Sequence, residues 1–158
     1  MWEHSLWRFS GKRCAAWERS KKGQDSRDRG QGSEERGKGQ GVEEGFQKLI
    51  AWQKAYNLAL DIYKTTALFP KSEVYGLTNQ FRRAAVSVPA NIAEGYERQY
   101  RKEYIQFLKI AQGSLAEVET YLMFAKDLSY ITEDNYKKLD MQRQETGKLL
   151  RGLVNSLK

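Results

Sequence analysis

Two of the residue types that most often carry chemistry are nearly missing. His4 is the only histidine and Cys14 the only cysteine, and both lie near the N-terminus. A nucleophile elsewhere in the chain would have no histidine to act as its base. A Cys/His zinc set cannot be assembled, and a carboxylate-bridged metal centre in a helical bundle would lack its Glu-x-x-His pairs. No glycine motif of the phosphate-cradling kind occurs. Glu94 and Glu117 are candidate buried carboxylates, for which a structural ion pair with an arginine such as Arg83 is the expected use. The reading is a non-enzyme with no cofactor and no metal. What remains is cationic. Arg98, Arg101, Lys102 and Lys109 cluster along one segment, and Arg82 and Arg83 lie on the segment before it. Such a set suits sequence-independent, salt-sensitive contacts with phosphates. The competing reading is a solvated charged face, although neither Arg101–Ile105 nor Lys102–Gln106 makes an i,i+4 ion pair.

The elements that position these residues occupy only part of the chain. Of 158 residues, 1–45 hold 8 of the 13 glycines and almost no aliphatic side chains, so this segment is expected to be a disordered low-complexity leader. Trp2, Trp7, Phe9 and Trp17 are scattered through its basic start, in a mixture that can bind nucleic acid, although an accidental extension is the preferred reading. No methionine lies between Met1 and Met123; initiation at a non-standard codon near Val42, or processing there, is the expectation. The net charge of +7 divides unevenly: the leader has 10 basic and 8 acidic residues, the remainder 17 and 12. The positive excess therefore belongs to the part expected to fold, and it suits an anionic partner or plain solubility. A lone cysteine, no apolar signal region and no run of 18 apolar residues point to a cytoplasmic protein with no membrane span.

Four helices are expected, over about 47–69, 73–95, 101–129 and 133–157. Leu49, Trp52, Tyr56, Ala59 and Tyr63 step by three and four in the first, which Pro70 should end. The second, with Ser72 as N-cap and Gly95 at its C-terminus, is apolar around more than half its circumference. It carries Pro89 in its interior, tolerable only where packing on both sides holds the helix. The third has an unbroken seam of Tyr104, Leu108, Ala111, Leu115, Val118, Leu122 and Ala125. A second seam beside it contains Phe107, Ile110, Ser114, Glu117, Tyr121 and Phe124. Gly113 and Gly147 are expected to allow close helix approach. Thr132 should cap the fourth helix, ahead of Glu133 and Asp134.

Short connections between such helices give an antiparallel up-down four-helix bundle, an all-α fold. Helices 1–3 carry more apolar surface than one core consumes. Val86, Pro89, Ile92, Phe107, Ile110, Tyr121 and Phe124 are therefore assigned to packing within the bundle or between copies, and a closed homo-oligomer is expected. A groove for another protein's helix is the alternative.

Several stretches are familiar in order: Trp52-Gln53-Lys54-Ala55, Ala67-Leu68-Phe69-Pro70, Gly76-Leu77-Thr78, Arg82-Arg83-Ala84-Ala85-Val86-Ser87-Val88-Pro89-Ala90-Asn91-Ile92-Ala93-Glu94-Gly95, Gly113-Ser114-Leu115-Ala116-Glu117 and Ala125-Lys126-Asp127-Leu128. Over about 46–158 the chain resembles the four-helix-bundle proteins named for 23S ribosomal RNA intervening sequences. Tyr96-Glu97-Arg98-Gln99-Tyr100 departs from the smaller, Gly- and Ser-containing turn common there. The resemblance implies a homopentamer with no enzymatic role, and no catalytic residue is carried over. Related accessory proteins of diversity-generating retroelements form basic barrels that bind nucleic acid and a reverse transcriptase. The implied partners are thus further copies of the chain, RNA or DNA, and a protein such as a reverse transcriptase.

Overall fold

The computed structural model describes residues 45–158. The expectations for the leader, including His4, Cys14 and the tryptophans, lie outside the described residues. Four α-helices follow one another: α1 Ile50–Thr66, α2 Leu77–Glu97, α3 Arg101–Asp127 and α4 Glu133–Ser156. Short 3-10 turns at Gly45–Lys48 and Lys71–Glu73 precede α1 and α2. No strand occurs among the described residues. α1 packs on α2, α2 on α3, α3 on α4, and α4 back on α1, the neighbour pattern of a four-helix bundle.

The core follows the periodicity. Every member of the Tyr104-to-Ala125 seam is buried, against Leu58 and Ile62 of α1, Phe81, Val88 and Ile92 of α2 and Leu139, Leu150 and Val154 of α4. α2 runs uninterrupted through Pro89, which is itself buried. Beside the proline a small polar network joins two helices. Asn91 Nδ2 donates to the Ser87 carbonyl (2.8 Å) and to Ser87 Oγ (3.0 Å), and Ser87 Oγ meets Ser114 Oγ across the α2–α3 contact at 2.9 Å. Ser114, a member of the second α3 seam, is buried for this reason.

Helix ends differ from the periodic pattern where local chemistry competes with it. α1 stops at Thr66 rather than Phe69. In its last turn the Thr65 and Thr66 hydroxyls donate to the Asp61 and Ile62 carbonyls, both at 2.8 Å. The chain then turns so that Phe69 is buried with its ring 5.3 Å from that of Tyr130. α2 starts at Leu77, four residues after its expected start. Ser72 is not the cap: the Glu73 carboxylate reaches forward and accepts the Leu77 N–H at 3.0 Å. Its other oxygen accepts the Tyr130 hydroxyl at 3.2 Å, tying the α1–α2 connection to the α3–α4 connection. Thr132 does cap α4, accepting the Asn135 N–H at 3.3 Å.

The glycines separate into two kinds. Gly95 does not end α2 but lies buried inside it, where an added Cβ would fall 2.7 Å from Phe107 Cβ and 2.9 Å from Tyr104 Cδ2. Gly147 likewise lets α4 approach Leu115, with 3.3 Å left for a Cβ. Gly113 is different: it is exposed, and a Cβ there would meet nothing within 4 Å of the subunit.

Candidate nucleic-acid interface

The basic residues expected to contact nucleic acid separate into those engaged within the fold and those that stand free. Arg82, on α2, is half-buried and engaged. Its Nε donates to Thr66 Oγ1 at 2.7 Å, and its guanidinium lies over the Tyr63 ring, 4.9 Å from the centroid. Arg98 is clasped by Glu94 one turn back and lies over the Phe107 ring at 4.7 Å. Both act within the fold. Arg83 is exposed in the second turn of α2. The expected ion pair of Arg83 with a buried Glu94 or Glu117 is not formed: both carboxylates are exposed, and Glu94 bonds Arg98.

Arg101, Lys102 and Lys109 are exposed on α3 and make no ion pair or hydrogen bond among the described residues. Lys102 and Lys109 are seven residues apart, two turns, so they share one side of the helix about 10.5 Å apart along the axis. Glu103, the one acid in Arg101–Ala116, is turned about 100–120° from them.

The antiparallel course of α4 adds residues that the sequence reading missed. Between α3 and α4 runs an open groove of 360 Å³, lined by Gln112, Leu115, Ala116 and Glu119 on one side and Arg143, Gln144, Gly147, Lys148 and Arg151 on the other. Lys109 lies one turn before Gln112. Because Gly147 has no Cβ, the Arg151 guanidinium settles over it, with Nη1 3.4 Å from where that atom would be. Lys148 and Arg151 are exposed and have no ion pair or hydrogen bond among the described residues. A signal for them existed: from Thr146 to Lys158 the chain has no acidic residue.

The groove's far end is electrically closed. Arg143 is 16% exposed, with Nη1 3.0 Å from Glu119 and Nη2 2.8 Å from Asp140. Those pairs neutralise Glu119, the one acid in the lining. The free charge is therefore the strip Arg101, Lys102, Lys109, Lys148 and Arg151. Among the described residues no group of three or more His, Cys, Asp or Glu could hold a metal ion, and no helix is long and apolar enough to cross a membrane.

The apolar residues assigned to packing also divide. Pro89 and Ile92 are buried in the bundle, Phe107 and Tyr121 are half-buried, and Val86, Ile110 and Phe124 are exposed. Tyr56, Leu60 and Tyr63 of α1 are exposed as well, so uncovered large apolar side chains occur on each of α1, α2 and α3. α4 contributes only Met141 to the exposed large hydrophobic residues. The exposed large apolar side chains thus fall almost entirely on α1–α3, whereas Lys148 and Arg151 of the basic groove belong to α4.

A protein-family model described as 23S rRNA-intervening sequence protein matches residues 47–152. No curated protein matches the chain. Among solved structures, a protein of unknown function from the S23 ribosomal protein family of Bacteroides thetaiotaomicron is similar. It is 28% identical, with a TM-score of 0.61, over 66% of this chain and 98% of that one.

Proposed function

Because the chain belongs to the 23S rRNA-intervening sequence protein family, and because its free cations gather on one strip, we propose that it is a non-enzymatic, self-assembling bundle that binds RNA or DNA. The observation that carries this reading is the strip itself: five cations from two helices, none paired among the described residues. Surface lysines and arginines ordinarily have acids interspersed among them, as they do along the first half of α4, where Glu133, Asp140 and Glu145 hold Lys126, Arg143 and Lys54. The exposed large apolar side chains of α1–α3 support assembly, since such surface, where it gathers in patches on soluble proteins, marks interaction sites. The homopentamer implied by family resemblance would repeat the strip around a ring. A cytoplasmic location follows the same reading.

A second reading has its own support. Leu68 and Tyr75 are 83% and 92% exposed in the α1–α2 connection, which favours an interaction scaffold for a protein partner such as a reverse transcriptase. Filter binding to single-stranded RNA across a salt series separates the two. Arg101→Ala/Lys102→Ala/Lys109→Ala removes up to three phosphate contacts per subunit, so the log–log salt slope should fall by about 2 at about 0.7 per contact. Lys148→Ala/Arg151→Ala should lower it by about 1.4. Weak binding with an unchanged slope in both variants would reject the nucleic-acid reading and leave the scaffold.

A further inference from the structure

At the end of α2 remote from the first turn of α3 is a smaller pocket of 210 Å³. It is lined by Thr66, Ala67, Phe69, Lys71, Val74, Thr78, Asn79 and Arg82. Three features of its wall are donors without acceptors. The Thr78 side chain is 5% exposed, and its hydroxyl is buried with no hydrogen-bond partner. A buried hydroxyl left unpaired is costly, and native proteins rarely keep one without use. Thr78 and Asn79 stand in the first turn of α2, where backbone N–H groups have no carbonyl one turn back. The Leu77 N–H is taken by Glu73 and the Gln80 N–H by the Gly76 carbonyl, but neither the Thr78 nor the Asn79 N–H has a partner among the described residues. Lys71 is exposed and unpaired there. Arg82 is held at the pocket by Nε on Thr66 Oγ1, and its Nη2 is 3.5 Å from the Tyr63 carbonyl.

We propose that this pocket binds a small oxyanion, a phosphate monoester or a carboxylate. Lys71 and Arg82 supply the charge, and the Thr78 hydroxyl and the first-turn N–H groups of α2 supply directed hydrogen bonds. A helix N-terminus favours an anion through both its free donors and its dipole. The apolar part of the lining, Ala67, Phe69 and Val74, accommodates the carbon attached to the anionic head. Glu73 is the carboxylate close by. It is not part of the lining, and its two oxygens are committed to the Leu77 N–H and the Tyr130 hydroxyl. Its charge lowers the affinity without filling the site. The pocket is separate from the α3–α4 strip, and the proposal stands whether or not that strip binds nucleic acid.

Isothermal titration calorimetry of the full chain with methyl phosphate, and in parallel with acetate at matched ionic strength, tests it. The expected result is saturable binding of one anion per subunit. A response to methyl phosphate alone assigns a phosphate ester, and one to acetate alone assigns a carboxylate such as a chain terminus. Thr78→Val, isosteric and relieved of the unpaired hydroxyl, should fold at least as stably as the parent and weaken binding about tenfold or more. Lys71→Ala, an exposed change, should weaken it several-fold, and Lys148→Ala/Arg151→Ala should leave it unchanged. No saturable heat with either anion, or equal affinity in the parent and Thr78→Val, would overturn the assignment.

Discussion

Gly95 and Gly113 sit on adjoining helices of the same bundle, and the same substitution should act on them in opposite directions. In Gly95→Ala the new Cβ would stand 2.7 Å from Phe107 Cβ and 2.9 Å from the Tyr104 ring. Carbon atoms rest at about 3.5–4.0 Å, so α2 and α3 must part by nearly 1 Å at that level. Neither obstacle is the free end of a flexible side chain. Overpacking of this kind costs about 1–3 kcal/mol, and the helix propensity of alanine returns about 1 kcal/mol. An approach as close as 2.7 Å puts the cost in the upper half of that range, so the net expectation is a loss of about 1–2 kcal/mol. Gly113→Ala meets nothing within 4 Å of its own subunit, so only the propensity term acts, a gain of about 0.5–1 kcal/mol. Urea unfolding of both variants at one fixed subunit concentration measures the pair, with the m-value as a check that the unfolded state is unchanged. A Gly95→Ala protein as stable as the parent would refute the close α2–α3 contact. A loss in Gly113→Ala would show that this exposed glycine is covered by a neighbouring copy.

Further outcomes follow from single sites. Ser129 holds φ at 58° just after α3, a conformation costing a non-glycine residue about 1 kcal/mol. Ser129→Gly should therefore raise stability by about that amount in the same urea assay, and no gain would contradict the strain. The Asp61 carboxyl is held below its ordinary value of 3.8 by the Gln142 amide, with help from Lys64 and Lys138. A carboxylate lowered by folding adds stability above its unfolded pKa and loses it as pH falls through the folded one. Asp61→Asn should cost about 0.5–1 kcal/mol at pH 7, and the gap to the parent should close as pH falls through the lowered pKa of the folded carboxyl. A gap constant with pH would show that the charge contributes nothing.

Much of this architecture was legible in the residues, and the parts that were not have specific causes. The α3 seam and the Thr132 cap were readable because each depends on spacing within one helix. The early end of α1 and late start of α2 were not, because both hinge on side chains that reach across loops: Phe69 under Tyr130, and Glu73 capping Leu77 while holding the Tyr130 hydroxyl. Gly95 looked like a stop signal by type, yet its neighbours Tyr104 and Phe107 come from the next helix. The basic strip was half visible. Arg101, Lys102 and Lys109 are close in sequence, whereas Lys148 and Arg151 join them only through the α3–α4 pairing. Arg82 counted as a free cation in the sequence because its partners, Tyr63 and Thr66, lie on another helix; Arg98 had a readable partner in Glu94, four residues before it, and only its contact with Phe107 needed the next helix.

Native mass spectrometry of the purified chain, before and after stripping in high salt, tests the proposed function most directly. The expected result is one discrete multi-subunit mass that carries nucleic acid at low salt, releases it at high salt, and keeps its subunit number throughout. A single-subunit mass free of nucleic acid under both conditions would contradict both the role given to the exposed apolar side chains of α1–α3 and that given to the basic strip.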